Sequence, residues 1–263
     1  MKKMWNSFKI AFSMYSKFPM PESEWNRENL SYAMIFFPWI GALIGIIIYG
    51  VFALKEWCAV NAPDVPDMVF TMIMVIVPVL VTGGIHMDGF MDTQDALSSY
   101  QTQERRLEIL KDPHAGAFAI LSCVVYFLCY TGIYSALSEN SIRAAAVGFL
   151  VSRTLSGLSV VAFPQAKEDG LAATFAENAA KQTVKIVLCI YLLILCAALF
   201  IIGKGVGIAA AAAAAAVFFY YFRMSVKNFG GITGDLAGYF LQLCEIWMAA
   251  AAVGADIVLR NIR

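Results

Sequence analysis

Seven long stretches of apolar residues recur along the chain, separated by polar connections. A membrane-spanning helix needs about 20 predominantly apolar residues, whereas the helices of soluble proteins alternate apolar and polar faces. The pattern therefore predicts seven spans, at about 32–54, 67–85, 116–137, 142–163, 184–203, 205–222 and 236–258. The predicted fold class is all-α, a polytopic membrane helical bundle that forms a single domain over residues 1–263.

Two local patterns refine this picture. The fifth and sixth stretches are separated only by Gly203, Lys204 and Gly205, which predicts a tight helical hairpin. The alanine run 209–216 in the sixth stretch is typical of a helix that lets a neighbouring helix approach closely in the bilayer.

The segment before the first stretch is amphipathic. Apolar side chains recur there at helical spacing: Met4, Phe8, Ala11 and Tyr15. Lysines flank them: Lys2, Lys3, Lys9 and Lys17. This combination predicts a helix within residues 1–20 that lies in the membrane interface.

Composition and charge agree with a membrane protein. The chain is 60% hydrophobic and 14% charged, whereas soluble domains are nearer half apolar and a quarter charged. With seven spans, 13 of the 19 Lys and Arg residues fall on the side of the N-terminus, Lys167 among them. The positive-inside rule places that side in the cytoplasm. We therefore expect a multi-pass protein of the cytoplasmic (inner) membrane, with its polar loops 83–115 and 223–235 on the cytoplasmic side.

Three carboxylates and a histidine follow the second stretch, within residues 83–95. In a helix, Asp88, Asp92 and Asp95 fall at i, i+4 and i+7 on one face. Like charges on one face repel, so a bound cation is the simplest compensation. Oxygen ligands favour Mg²⁺ first, then Mn²⁺ or Ca²⁺. A solvated acidic face is the alternative. His86 lies off that face, as an outer partner, a base or an ordinary interfacial histidine.

Two further segments carry basic groups. In residues 105–116, a Pro and Gly turn can present Lys111, Asp112 and His114 to a bound anion or metal. For Arg105 and Arg106 the alternative is charge that only sets the membrane topology. Arg153 lies within the fourth stretch, where an arginine faces the bundle interior and needs a partner. Phosphate oxygens or an aspartate would serve as that partner, and a structural pair with Glu245 is the competing explanation.

A glycine-rich turn precedes the last stretch. Gly230, Gly231 and Gly234 let backbone N–H groups face an anion, while Asp235 opens the following helix and Lys227 precedes the turn. A glycine-rich turn at a helix N-terminus is a typical phosphate site. An N-cap role for Asp235 is the alternative. Acids, a divalent ion and basic residues together are the combination that phosphoryl transfer requires.

Four blocks of this sequence are similar to the cobalamin synthase family, the adenosylcobinamide-GDP ribazoletransferases. They are the Pro-x-Pro element at 19–21, the Gly-Gly-x-His-x-Asp-Gly-x-x-Asp-x-x-Asp block at 83–95, the block 105–116 and the Gly-Gly-Ile-Thr-Gly-Asp block that begins at Gly230. Their order and spacing agree along nearly the whole chain.

The resemblance implies that α-ribazole or its 5′-phosphate displaces GMP from adenosylcobinamide-GDP, with Mg²⁺ required as one or two ions. It assigns Asp88, Asp92 and Asp95 to the metal and the diphosphate. Arg153, Lys111 and Lys227 become candidates for phosphate contacts, and Asp235 for a further ligand or positioning group. Asp95 and His86 are the candidates for removing the hydroxyl proton.

Other functions stay open at this point. Another intramembrane metal-dependent transferase, of the CDP-alcohol phosphotransferase or prenyltransferase type, uses similar acidic helices, although its full motifs are missing here. A transporter would place its acids near the bilayer midplane and show repeats. The expected partners are the two substrates and the lipid bilayer, without nucleic acid. Whether the protein forms an oligomer or a complex with other cobalamin-assembly enzymes stays open.

Overall fold

The computed structural model describes residues 2–166 and 170–262, and Lys167 lies outside them. These residues form twelve α-helices and no β-strand. The helices are α1 (Lys2–Tyr15), α2 (Arg27–Leu30), α3 (Ala33–Asn61), α4 (Asp67–Thr82), α5 (Ile85–Ser98), α6 (Gln103–Ile109), α7 (Ala117–Ser135), α8 (Glu139–Ala162), α9 (Leu171–Asn178), α10 (Lys181–Ile202), α11 (Lys204–Phe229) and α12 (Gly234–Asn261).

The predicted membrane bundle is confirmed. Within the described ranges, six helices are individually long and apolar enough to cross a bilayer: α3, α7, α8, α10, α11 and α12. The remaining apolar stretch forms α4, which passes the same test only together with α5, and the two are bent by 93°. The described residues therefore contain six candidate spans, or seven if this bent pair counts as one.

Helix α8 lies at the centre of the bundle, against α3, α10, α11 and α12. Close approach to α3 depends on small residues, because a side chain at Gly41 or Gly45 would collide with the backbone of α8 at Phe149 or Ala146. Small residues serve the same purpose in membrane proteins generally, where the apolar lipid gives helices little hydrophobic drive to associate.

The hairpin predicted around Gly203 is confirmed, since α10 ends at Ile202 and α11 begins at Lys204. The alanine run also has its predicted use, because Ala210 and Ala214 are buried where α11 packs along α12.

Five shorter helices lie at one end of the bundle, beside the first turn of α12: α1, α2, α5, α6 and α9. Helix α1 packs on the start of α3 through Ile10 and Ala11, which are fully buried. Helix α5 packs against α12 and α7, α6 against the end of α11, and α9 against α8 and α2. This end of the bundle contains the acidic and glycine-rich segments that the sequence singles out.

The bend between α4 and α5 has a backbone cause. Gly83 and Gly84 both have left-handed backbone angles, with φ of 67° and 83°. Residues with a β-carbon rarely adopt this conformation, so two in succession favour glycine. The bend turns α5 out of the line of α4 and brings its acidic face to the end of the bundle.

Candidate active site

The acidic face of α5 meets the first turn of α12. Asp88 is exposed and Asp92 is half-buried. Gly89 lies between them, and a β-carbon there would stand 2.7 Å from the backbone oxygen of Asp235. Because only glycine permits this approach, the Asp-Gly pair of the motif brings Asp235 beside the α5 carboxylates.

The electrostatics of Asp92 reflect this convergence. Burial is the largest cause, followed by the charges of Asp88, Asp235 and Asp95, and together they raise the pKa of its carboxyl from 3.8 to about 7. A carboxyl is shifted upward in this way when like charges crowd it and no cation compensates them. The site thus holds an excess of negative charge at the end of the bundle.

Asp95 makes different contacts from those that its spacing predicts. Its carboxylate accepts hydrogen bonds from the backbone N–H groups of Gly116 and Ala119, the latter at 2.8 Å. N–H groups at the start of a helix have no acceptor within the helix, and here the carboxylate of Asp95 accepts from two of them. In this structure Asp95 fixes α5 to α7, and its predicted role as a metal ligand stays a prediction.

The donor set fits a hard cation by chemistry, because all of its groups are carboxylate oxygens that repel one another. In the described ranges no group of three His, Cys, Asp or Glu side chains is already arranged to hold a metal ion. Asp88, Asp92 and Asp235 are the acids that would hold one, through rotation of their side chains.

His86 is buried beneath the acidic face, and its ring lies beside the rings of Tyr15 and Phe37. Burial, together with the positive charge of Arg153, lowers the pKa of His86 well below its usual range, so the ring is neutral. His86 lines a cavity of about 280 Å³ with Tyr15, Phe37, Asp88 and further residues of α3, α8 and α12. The histidine is therefore part of a cavity wall.

A second cavity of about 230 Å³ adjoins the first. Lys111, Gln165 and Thr233 line it, and both cavities share Ala172, Gly234 and Asp235. The first turn of α12 thus forms the border between the two, and a helix N-terminus attracts negative charge. One cavity offers a lysine and polar groups, the other aromatic rings and a carboxylate.

Arg153 is 1% exposed and pairs with Glu245, its Nη1 lying 2.6 Å from Oε1 of the glutamate. The same atom also donates to the carbonyl oxygen of Phe149. Of the three partners that the sequence left open, the structure shows Glu245. The phosphate contact predicted for Arg153 stays a prediction.

The glycine turn has mainly structural contacts. Gly230 has a left-handed conformation and ends α11, its N–H donating to the carbonyl of Val226. The N–H of Ile232 donates to the carbonyl oxygen of Pro164. A β-carbon at Gly231 would collide with the segment 164–166. The N–H groups of Gly230 and Ile232 are therefore used within the protein. The phosphate contact predicted for Gly230, Gly231 and Gly234 stays a prediction.

The remaining basic residues lie at the edge of the site. Lys227 is exposed in the last turn of α11 and lines neither cavity. Arg105 pairs with Glu108 on the surface, whereas Arg106 donates to the side chain of Asn228 at 2.6 Å and ties α6 to α11. Only Lys111 of the predicted cations lines a cavity beside the acids.

Asp235 is not the cap of its helix. Thr233 is the N-cap of α12, and its side chain accepts a hydrogen bond from the N–H of Leu236. Asp235, which is not the cap, lines both cavities.

Comparison with known proteins identifies the family of the chain. A family model described as cobalamin-5-phosphate synthase matches residues 7–253, nearly the whole chain. The chain belongs to this family. The resemblance first noted in the sequence motifs is thus confirmed, and the protein is a membrane-embedded transferase.

Curated relatives of the cobalamin-5-phosphate synthase family share the full length of the chain. The adenosylcobinamide-GDP ribazoletransferase of Lachnoclostridium phytofermentans is 45% identical over 257 residues, which cover 98% of this chain and 97% of that protein. The protein of the same name from Clostridium perfringens is 34% identical over 247 residues, 93% and 96% of the two chains. No solved structure matches the chain.

For this family member, reasoning from sequence missed most of the cavity walls. Tyr15, Phe37 and Ser156 line the His86 cavity, and Gln165 lines its neighbour. One signal was present for α8, where Ser152, Ser156 and Ser159 mark a polar stripe inside an apolar stretch. The aromatic residues gave no signal, because aromatic side chains are common in any buried stretch.

Proposed function

We propose that this chain is a Mg²⁺-dependent adenosylcobinamide-GDP ribazoletransferase. It joins α-ribazole, or α-ribazole 5′-phosphate, to adenosylcobinamide-GDP and releases GMP. The proposal rests on one observation above all, the meeting of Asp88, Asp235 and Lys111 across two adjoining cavities. Asp92 lies near enough for the charges of Asp88 and Asp235 to raise its pKa. Family membership and the names of the full-length relatives support the choice of substrates.

The reaction exchanges one phosphate ester for another. A ribose hydroxyl oxygen of the nucleoside bonds to the phosphorus that carries the cobinamide, and the bond from that phosphorus to the bridging diphosphate oxygen breaks. GMP leaves with that oxygen, and the hydroxyl proton passes to a base. No oxidant or further cosubstrate is required.

The carboxylates supply the metal site. Asp88, Asp92 and Asp235 would hold Mg²⁺, which neutralises charge on the diphosphate oxygens when bound. Asp95 holds α5 in place through its hydrogen bonds to the first turn of α7. Its two oxygens are already used as acceptors, so it is a poor candidate for the general base.

Binding and proton transfer fall to residues at the border between the cavities. Lys111 would contact diphosphate oxygens in the smaller cavity, next to the N-terminus of α12. A hydroxyl held in the His86 cavity would meet the Asp88 and Asp235 carboxylates. We therefore assign acceptance of its proton to one of these two rather than to His86, because burial lowers the pKa of His86 and makes it a weaker proton acceptor. The His86 ring also lies against the rings of Tyr15 and Phe37.

The excess of basic residues on this side of the bundle supports a location in the inner membrane with the site facing the cytoplasm. Water-soluble GMP would then be released directly into the compartment in which nucleotides are used. A cysteine introduced at exposed Lys227 would test this, because only an inward-facing residue is protected from a membrane-impermeant thiol reagent in intact cells.

A product assay tests the activity. The protein is purified in detergent and mixed with adenosylcobinamide-GDP and α-ribazole, with and without Mg²⁺, and GMP and the corrinoid product are measured together. We expect equal amounts of both, and only with a divalent ion. Comparing kcat/KM for α-ribazole and its 5′-phosphate decides which acceptor is preferred.

The matched control is Asp64→Asn, which changes an exposed aspartate in the connection between α3 and α4. It should leave product formation unchanged. Formation of GMP without the corrinoid product, or of neither by the wild-type protein, would contradict the proposal.

A further inference from the structure

The larger of the two site cavities has walls suited to a flat ring. The rings of Tyr15 and Phe37 have centroids 6.1 and 5.9 Å from that of His86. The rest of the lining is mostly apolar and includes Met34, Val160 and Leu241. Aromatic side chains arranged around a cavity stack on planar ligands. The cavity therefore favours an aromatic base over a phosphate or an amide chain.

One polar atom in this wall has no partner. His86 is 5% exposed, and its Nε2 is buried without a hydrogen bond to any described residue. A buried polar atom left unpaired costs about 1–3 kcal/mol, so such atoms usually have a ligand or a water as partner. His86 lines the cavity, so a ligand held there can complete this hydrogen bond once the ring turns Nε2 toward it.

The volume of the cavity decides which of the two substrates it can hold. The cavity volume of about 280 Å³ lies at the lower end of the range for small-molecule sites, ~300–1,000 Å³. A nucleoside can enter a space of this size, whereas a corrin macrocycle cannot. The corrinoid must therefore lie outside this cavity, with only its diphosphate reaching the border at Asp235.

Hydrogen bonding separates the two aromatic bases that the reaction involves. Guanine presents a carbonyl oxygen, a ring N–H, an amino group and a ring nitrogen, and burying these without partners is costly. The dimethylbenzimidazole of α-ribazole has one free ring nitrogen and two methyl groups. One donor in a mostly apolar wall matches this second base, and the polar residues of the lining, Asp88, Asp235 and Ser156, are left for the ribose hydroxyls.

We infer that the cavity between α1, α3, α5, α8 and α12 binds the base of the acceptor nucleoside, with Nε2–H of His86 donating to its free ring nitrogen. This inference rests on the proposed function and adds the location of the acceptor. The ribose then lies toward Asp88 and Asp235, which line the same cavity. His86 is on this account a specificity residue for the base rather than the general base.

The histidines of the chain provide a direct spectroscopic test, because there are only two. His86 is in the cavity, whereas the side chain of His114 is 89% exposed and contacts Asp112. In protein labelled with ¹³C and ¹⁵N at histidine, α-ribazole should shift the ring signals of His86 and leave those of His114 in place. GMP should shift neither.

Two matched substitutions test the division of the cavities by kinetics. Ala237 lines only the His86 cavity and Ala173 only the Lys111 cavity. We expect Ala237→Leu to raise the KM for α-ribazole about tenfold with little effect on the KM for adenosylcobinamide-GDP. Ala173→Leu should do the opposite, because it fills the space that we assign to the diphosphate.

A third test measures which nucleoside base the enzyme prefers. His86→Gln keeps an N–H donor, whereas His86→Leu removes it. The wild-type enzyme should prefer the dimethylbenzimidazole nucleoside to an analogue in which a carbon replaces the free ring nitrogen. We expect His86→Leu to abolish this preference and His86→Gln to keep it. If His86→Leu fails to fold, the histidine signals and the alanine pair still decide.

The outcomes separate the inference from the proposed function. An active enzyme whose His86 signal ignores α-ribazole, or responds to GMP instead, overturns the inference and leaves the transferase activity standing. Equal effects of both leucine variants on the two KM values would overturn it as well. A wild-type protein that forms no product refutes the proposed function itself.

Discussion

Two regions of α12 place charge in very different surroundings, about 15 Å apart along the helix. At its first turn, Asp235 meets Asp88 and Asp92, and the pKa of Asp92 is raised to about 7 because like charges and burial act together. Ten residues later, Glu245 lies in the dry centre of the bundle and is matched by Arg153 at 2.6 Å. Both regions contain acids in an apolar helix, but Glu245 is held by an arginine, whereas Asp92 is crowded by other acids.

The difference indicates which acids serve stability and which serve function. An unpaired charge in the membrane interior is costly, so Glu245 is found with a partner. Among the contacts that the structure gives for Asp88 and Asp92 there is no ion pair with a basic side chain. These two acids crowd each other instead. Such an arrangement weakens the protein unless a ligand compensates it, which is typical of functional sites.

The first prediction concerns Asp92, where the largest effect is expected. Asp92→Asn should lower the rate of GMP release about 10³-fold, since a lost metal ligand removes several kcal/mol of transition-state stabilisation. The thermal midpoint without metal should stay the same or rise, because the substitution relieves repulsion. Activity within tenfold of wild type, with folding intact, would show that Asp92 is not part of the site.

The second prediction concerns the paired region, where the effect should be on folding. Glu245→Ala leaves the buried charge of Arg153 uncompensated and should cost about 3–5 kcal/mol of unfolding free energy. Chemical unfolding in detergent measures this. The double variant Arg153→Met/Glu245→Leu should recover most of the loss, because apolar residues can replace a buried pair. If Glu245→Ala were as stable as wild type, the pair would not have the structural role assigned here.

The third prediction tests whether the rim acids must converge. Gly89→Ala places a β-carbon 2.7 Å from the backbone oxygen of Asp235 and should push α5 from α12. A shift of about 1 Å can lower catalysis 10²-fold, and we expect between tenfold and that value. Gly254→Ala, in α12, is the control, because no atom lies within 4 Å of the β-carbon that it adds. Equal kcat values for the two variants would argue against convergence.

The fourth and smallest effect is a pH dependence. The raised pKa of Asp92 means that its carboxyl takes up a proton as the pH falls through about 7, and a cation must then displace that proton. The Mg²⁺ concentration for half-maximal activity should rise by up to about tenfold per pH unit below 7. Asp64→Asn should keep this profile. A requirement for Mg²⁺ that is constant from pH 6 to 8 would contradict it.

The bundle could be predicted well from the sequence because hydropathy alone determines where a chain can cross a bilayer. The predicted stretch 184–203 became α10, Lys181–Ile202, and 236–258 became α12, Gly234–Asn261. The face shared by Asp88, Asp92 and Asp95 also followed from helical spacing. These features depend on neighbours within a few residues along the chain.

The features that the sequence left open or missed depend on distant residues. The partner of Arg153 is 92 residues away, and the N–H groups that occupy Asp95 are more than 20 residues away. In the glycine turn, the N–H groups of Gly230 and Ile232 donate to the carbonyl oxygens of Val226 and Pro164, which the spacing of the glycines did not indicate. Spacing shows which groups share a face, but tertiary packing decides which of them are already used.

The most direct test of the central claim is divalent cation binding at the crossing of α5 and α12. Mn²⁺ bound to the purified protein is measured by electron paramagnetic resonance in the presence of adenosylcobinamide-GDP. We expect the wild-type protein to bind Mn²⁺, and the folded triple variant Asp88→Asn/Asp92→Asn/Asp235→Asn to lose that binding. Undiminished Mn²⁺ binding by the triple variant would contradict the account.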